Sequence, residues 1–158
     1  MRHSPALLLA LLCAAATGCD GARADATPEP PQFLNSGKVL PATLPFSEAV
    51  RVGNTLYLSG QIGITPGVMT LVPGGMEAEA RQTMENIRAT LTEHGYAMSS
   101  VVKCTVMLAD MRDWPAFNAI YQTFFTPPYP ARSALGASGL ALGARVEVEC
   151  IATGRGAG

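Results

Sequence analysis

The chain has 158 residues, a formal net charge of −1 at pH 7 and 48% hydrophobic residues. This length suits one domain, and the charge excludes a protein that holds a polyanion through a basic excess, so nucleic acid is not an expected partner. The two histidines are His3 and His94, and no residues have metal-ligand spacing, so no metal site is expected.

The N-terminus has the pattern of an export signal. Arg2 and His3 form a short positive segment, and Leu7 to Ala16 form an apolar segment too short to span a membrane. The sequence contains two candidate cleavage sites for this signal. Ala22-Arg23-Ala24 has the form that ordinary signal peptidase accepts. Ala16-Thr17-Gly18-Cys19 resembles a bacterial lipobox and is favoured, although it has alanine where leucine is usual.

Three segments are predicted along the chain. Residues 1–24 are interpreted as a signal peptide, with Cys19 as the mature N-terminus and lipid anchor if the lipobox is used. Residues 25–45 are rich in Pro, Ala and Thr and are predicted to be a flexible linker. Residues 46–158 are predicted to form the folded domain. The expected location is outside the cytoplasm, in the periplasm, with Cys19 as the one membrane contact.

The first predicted elements form a β-hairpin. Glu48 to Val52 and Thr55 to Ser59 alternate in hydrophobicity, and Gly53-Asn54 between them is typical of a tight turn. A short strand is expected from Met69 to Val72. The clearest helix runs from Met76 to His94, because apolar residues recur there at helical spacing and a glycine follows.

The second half repeats this alternation. Val101 to Leu108 is predicted to be a strand, with its inner face formed by Val102, Cys104, Val106 and Leu108. Asp113 is expected to cap a second helix, with Trp114 and Pro115 in its first turn. The apolar stripe of that helix is predicted to be core and consists of Phe117, Ile120, Tyr121 and Phe124.

The last strand carries the strictest alternation. In residues 145–152 one face holds Val146, Val148, Cys150 and Ala152, and the other holds Arg145, Glu147, Glu149 and Ile151. The element order predicts an α+β fold with one mixed sheet and two helices on a single face. The second face of the sheet is too apolar in part for a bare surface and too charged for a core. It therefore favours an oligomer with clefts between subunits.

Two cysteines, Cys104 and Cys150, lie in the predicted strands, and both are expected to point into the core. An oxidising compartment permits a disulfide between them if the two strands are neighbours. Two inert buried thiols are the alternative.

Six blocks of sequence carry a resemblance to a known family: Pro45 to Val50, Leu58 to Ile62, Glu79 to Ile87, Phe117 to Phe125, Pro130 to Ser133, and Val146 to Ala152. In this order and with these gaps they resemble the reactive-intermediate deaminase family (RidA, also called YjgF). The resemblance implies a chorismate-mutase-like α+β fold and a homotrimer. It also implies hydrolysis of 2-imino acids to 2-keto acids and ammonia in clefts between subunits, without a cofactor.

The resemblance also implies roles for single residues. Arg132 falls on the family arginine that holds the substrate carboxylate, although a structural ion pair is its plainer interpretation. Glu149 falls on the family glutamate that orients or deprotonates the attacking water, and Glu147 on the same face is the lower-ranked alternative. Asn118 and Ser59 match polar positions at the cleft. Their structural alternatives are a helix-surface amide and a strand hydroxyl.

Two substrate-binding positions depart from the family pattern. Phe46 stands where the best-studied members have tyrosine, and Ala134 stands where many have cysteine. One lost hydrogen bond costs about 0.5 to 1.5 kcal/mol, roughly 2- to 13-fold in rate, so the missing hydroxyl would weaken an enzyme without abolishing it.

The sequence therefore predicts an exported, trimeric imine hydrolase that acts on a small imino acid and releases a keto acid. The alternative hypothesis is a trimer without catalysis, which binds a small carboxylate in the same cleft or acts as a chaperone.

Overall fold

The computed structural model describes residues 29–154, which form one mixed sheet and two α-helices. The strands are β1 Gln32–Leu34, β2 Ala49–Val52, β3 Thr55–Leu58, β4 Gln61–Ile62, β5 Val101–Leu108, β6 Ala131–Gly136 and β7 Val146–Thr153. The helices are α1 Gly75–Glu93 and α2 Trp114–Tyr121. The strand order is β1-β2-β3-β7-β5-β6, with β4 also paired to β7. The β5 and β6 strands are parallel, and the other pairs are antiparallel.

The core lies between one face of this sheet and both helices. The inward residues of α1 are those that the helical spacing predicts: Met76, Ala80, Met84, Ile87 and Leu91. They pack with Phe117 and Tyr121 of α2 and with the inward residues of β7. The predicted α+β fold, a mixed sheet with two helices on one face, is confirmed, and so are the hairpin and the alternation of the last strand.

The inner face of β5 differs from the prediction at its first residues. Val102 is 44% exposed, whereas Val101 is buried. The pairing of β5 with β7 is irregular between Val101 and Lys103, and this bulge shifts the alternation by one residue. From Cys104 onward the predicted face is correct.

Two local predictions were wrong. Asp113 precedes α2 but makes no side-chain capping bond; instead its carboxylate lies 3.4 Å from a guanidinium nitrogen of Arg145. The capping acid is Asp110, which accepts the backbone N–H of Arg112 at the start of a short 3-10 turn. The strand expected from Met69 to Val72 is reduced to an isolated bridge between Ile64 and Leu71.

The ordered domain begins earlier than the predicted linker allows. Within residues 25–45 the structure has strand β1, and Val39 and Leu40 are buried. The Glu48 carboxylate, which is 1% exposed, accepts hydrogen bonds from the backbone N–H and the hydroxyl of Ser36 at 3.1 and 2.7 Å. A buried carboxylate needs such donors, so this segment is tied to the domain. The predicted signal segment, with Cys19, lies outside the described residues.

Cys104 and Cys150 face each other across β5 and β7, with their Cα atoms 4.1 Å apart, and form a disulfide. The sequence left open a disulfide or two inert buried thiols, and the structure has the disulfide. The bond joins the two central strands beneath the helices.

Reduction of this disulfide is expected to lower the free energy of unfolding by about 2 to 4 kcal/mol, because the bond closes a long loop in the unfolded chain. Urea unfolding with and without dithiothreitol measures the difference. A Cys104→Ala/Cys150→Ala variant should show no response to the reductant. An equal unfolding midpoint for oxidised and reduced wild type would contradict the expectation.

Candidate active site

Arg132 lies on β6, the strand at the edge of the sheet. It stands opposite Cys104 of β5, whose side chain points into the core beneath the helices. Neighbouring residues in register share a face, so Arg132 projects on the helix side of the sheet. Its guanidinium carbon lies 4.5 Å from the ring centre of Trp114 and 4.6 Å from that of Tyr121.

The Arg132 guanidinium makes no ion pair with any carboxylate among residues 29–154. The structural ion pair that the sequence left open therefore has no partner in this part of the chain. The guanidinium carbon therefore lies over both rings at a distance typical of cation–π contacts. A guanidinium with no carboxylate partner can bind an anion through its N–H groups.

A surface cavity of about 260 Å³ opens beside this guanidinium. Its lining residues are Asn118, Tyr121, Gln122, Tyr129, Pro130 and Arg132. The predicted site residues Asn118 and Arg132 therefore meet in one cavity. Ala134 lies two residues along β6, on the same face as Arg132, and is exposed. We call Asn118, Arg132 and Ala134 the arginine half-site.

Glu149 lies on the other side of the sheet. It stands opposite Thr105, which in turn stands opposite Ser133, one residue from Arg132 on β6. Successive strand residues point to opposite faces, so Glu149 and Arg132 of one chain face different spaces. Glu149 is exposed at a smaller cavity of about 170 Å³, which it shares with Tyr57.

Glu147 is on the same face as Glu149 but in a different environment. It is half-buried, and burial, followed by the nearby charge of Glu149, raises the pKa of its carboxyl above the ordinary value. Its carboxylate lies against Gly60, where any Cβ would collide with it. A larger residue at position 60 would therefore require the Glu147 side chain to shift.

Ser59 and Phe46 lie near this second group. Ser59 follows β3, and its hydroxyl donates a hydrogen bond of 2.7 Å to the carbonyl of Ser47. This bond ties the segment that carries Phe46 to the end of the strand beside Gly60. The Phe46 side chain is 49% exposed. We call Phe46, Ser59, Glu147 and Glu149 the glutamate half-site.

Sequence reasoning placed both half-sites in one cleft without assigning them to separate surfaces of the subunit. It also missed two neighbours of Arg132, since Trp114 was assigned to a helix start and Tyr121 to the core. The helical spacing of these two residues, seven apart on α2, is a signal that they share a face. Nothing in the sequence shows that an arginine from strand β6 lies over both rings.

Residues 29–154 contain neither a side-chain group suited to a metal ion nor a helix suited to cross a bilayer. The structure has no group of three or more His, Cys, Asp or Glu side chains arranged to hold a metal ion in this range. Neither described helix combines the length and apolar character needed to cross a bilayer.

Known proteins resemble this chain along most of its length. Residues 37–154 match the family model described as Endoribonuclease L-PSP. The 2-iminobutanoate/2-iminopropanoate deaminase of Mus musculus is 44% identical over 121 residues, which is 77% of this chain and 90% of that protein.

Two solved structures extend the comparison to the fold. RidA from the Antarctic bacterium Psychrobacter sp. PAMC 21119 is 38% identical with a TM-score of 0.73, over 77% of this chain and 98% of that one. E. coli TdcF with bound serine is 27% identical with a TM-score of 0.72, over 78% of this chain and 98% of that one. The chain belongs to the reactive-intermediate deaminase family, RidA/YjgF.

Proposed function

We propose that this protein hydrolyses 2-imino acids to 2-keto acids and ammonia, in a site that two subunits of a homotrimer form together. The observation that carries the proposal is the Arg132 guanidinium, which lies between two aromatic rings beside an open cavity and has no carboxylate partner within the described range. Relatives such as the mouse protein are named 2-iminobutanoate/2-iminopropanoate deaminases, which supports this reaction for the present chain.

The arginine half-site suits the acid end of such a substrate. A 2-imino acid carries a carboxylate next to its reactive carbon, and a guanidinium can bind two carboxylate oxygens at once. The Asn118 amide lines the same cavity and has both a donor and an acceptor for the imine end. The relative with bound serine also holds a small molecule with a carboxylate next to a nitrogen-bearing carbon.

The glutamate half-site supplies the proton chemistry. Water adds to the carbon of the protonated imine while a carboxylate accepts one water proton, which gives a neutral tetrahedral carbinolamine. The same carboxyl then returns this proton to nitrogen. As the C–N bond breaks, the carbinolamine hydroxyl gives its proton to the carboxylate, so the products are the keto acid and ammonia, and the carboxyl releases the last proton to solvent. A raised pKa suits both steps, because the group must gain and lose a proton near neutral pH. Glu147 is half-buried and its pKa is raised, so it is assigned this role, and Glu149 on the same face is the alternative.

Two subunits are required because the half-sites lie on opposite faces of one sheet. The face that carries Glu147 also exposes large apolar side chains: Val52, Tyr57 and Leu135. An apolar face of this kind is typical of a surface that a partner covers. A closed ring of identical subunits would bring the arginine half-site of one chain to the glutamate half-site of the next. The family resemblance supports a trimer for that ring.

The proposal includes export. Residues 1–24 carry the signal pattern, and Cys19 is the candidate lipid anchor of a periplasmic lipoprotein. The Cys104–Cys150 disulfide supports this location, since disulfides persist in oxidising compartments and are rare in the cytosol. The partner is a small acid and not nucleic acid, in keeping with the net charge of −1.

A coupled assay tests the reaction. An amino-acid oxidase converts alanine to 2-iminopropanoate, semicarbazide traps the imine that remains, and the protein competes with the trap. We expect less semicarbazone of the imine and faster keto-acid release as the protein concentration rises. An unchanged rate, together with saturable binding of 2-oxobutanoate, would contradict the proposed enzymatic activity. It would support the alternative, a protein that binds a small carboxylate without catalysis.

A further inference from the structure

We propose that Trp114 and Tyr121 are positioning residues, which clamp the Arg132 guanidinium as a ready carboxylate-binding fork. The inference rests on the proposed function for the identity of the carboxylate. It goes beyond that function because it explains why an arginine at a sheet edge holds one orientation.

The two rings are fixed by the core. Trp114 is the first residue of α2 and Tyr121 the last, two helical turns apart. Phe117 lies between them and is fully buried, with its ring centre 6.1 Å from that of Trp114 and 5.6 Å from that of Tyr121. Phe125 contacts Tyr121 from the other side at 4.8 Å. The clamp is therefore the outer edge of a packed aromatic row.

Arg132 needs such support because of its position. Strand β6 has a neighbour on one side only, so no further strand packs beside this side chain. A free arginine loses much rotamer entropy when it binds a ligand, and an arginine that is already held loses less. Stacking uses the faces of the guanidinium and leaves its N–H edge for the ligand.

The other arginines that lie over aromatic rings differ from Arg132, because each of them also has a polar partner. Arg88 lies over the ring of Phe124 but is paired with Glu85. Arg51 lies over one ring and donates to a backbone carbonyl and to a side-chain amide. In residues 29–154, Arg132 is the one arginine that lies over two rings and has no carboxylate partner.

The ring of Tyr121, and not its hydroxyl, forms the clamp. Tyr121 is 3% exposed, and its hydroxyl has no hydrogen-bond partner among the described residues. Burial also raises the pKa of this hydroxyl, so it stays neutral beside the guanidinium. A phenylalanine keeps the stacking face and removes only the unpaired hydroxyl. This gives a matched pair of variants, Tyr121→Phe and Tyr121→Leu.

Steady-state kinetics on the full protein tests the clamp. Trp114→Leu and Tyr121→Leu should each raise KM by about 3- to 30-fold with little change in kcat, because they loosen the group that binds the acid. Trp114→Phe and Tyr121→Phe should recover most of the wild-type KM. Phe124→Leu, which removes the ring under Arg88, should leave KM unchanged. A KM that stays at the wild-type value in both leucine variants would overturn the clamp.

A second readout follows ligand binding in the wild-type protein and does not depend on catalysis. Trp114 is the single tryptophan of the chain. Titration with 2-oxobutanoate should change its fluorescence in a saturable way, and Arg132→Ala should abolish the change. No change in wild type that still hydrolyses imines would refute the clamp alone. A saturable change without hydrolysis would support the clamp and refute the proposed reaction.

Discussion

Replacement of Arg132 by alanine is expected to lower kcat/KM for 2-iminopropanoate by about 10² to 10⁴-fold. The variant loses two hydrogen bonds to a charged group, each worth about 1.5 to 3 kcal/mol, and these hold the substrate at its acid end. The fold should survive, because Arg132 has no ion pair within residues 29–154 whose loss would strand a buried charge.

Two further variants separate specific binding of the substrate carboxylate by Arg132 from a general effect of positive charge. Arg132→Lys keeps the charge but loses the planar fork, so its kcat/KM should lie between those of alanine and wild type. Arg112→Ala removes an exposed arginine that pairs with Asp110 just before α2, and it should retain full activity. A loss in Arg112→Ala as large as that in Arg132→Ala would point to general electrostatics in place of a specific site.

The spacing of hydrophobic residues along the sequence predicts most of the fold. The last strand and the first helix were predicted because each buries one regular face, and burial of that face decides both structures. The bulge after Val101 was not predictable in this way, since a single extra residue leaves no mark on composition. Residues 32–40 were also missed, because their structure depends on partners distant in sequence, such as the Glu48 carboxylate that accepts a hydrogen bond from Ser36.

The site was predictable as a set of residues but not as an arrangement. Motif resemblance selected Arg132 and Glu149, and strand alternation added Glu147 as the alternative on the same face. Alternation along each strand does not predict how two faces meet in an oligomer. The rank of Glu149 above Glu147 came from motif position, whereas burial and the contact with Gly60 distinguish the two only in three dimensions.

Glu147→Gln is expected to lower kcat by about 10² to 10⁴-fold, the range for loss of a general acid–base group. Glutamine keeps the shape beside Gly60 but cannot carry the proton from water to nitrogen. Glu149→Gln is the matched control on the same face, and its loss should be smaller. The opposite order of the two losses would return the role to Glu149.

The pH profile gives an independent check on Glu147. The pKa of its carboxyl is raised, and the base must be ionised, so kcat/KM should fall as pH drops through a value above the 4.5 of an ordinary glutamate. The charge of Glu149 contributes to this rise, so Glu149→Gln should move that limb to lower pH. An acidic limb that does not move in Glu149→Gln would show that Glu147 is not the titrating group.

The raised pKa of Glu147 also sets the direction in which protein stability changes with pH. Because the folded-state pKa of Glu147 exceeds the unfolded one, its contribution is present at low pH and is lost as pH rises through the folded value. Glu147→Gln cannot ionise, so its melting temperature should exceed that of wild type at pH 7 but not at pH 4. A less active but more stable variant is the outcome expected when a site holds a charge at a cost to folding.

Mixing the two inactive variants tests whether the site is shared. Suppose each site takes its arginine from one subunit and its glutamate from the next. A random mixture of Arg132→Ala and Glu147→Gln subunits then has both intact groups at about a quarter of its sites. Co-refolded subunits should therefore regain about a quarter of the wild-type activity, whereas the variants mixed without subunit exchange should stay inactive. If both groups acted within one chain, no mixed oligomer would contain an intact site, and activity would stay absent after exchange.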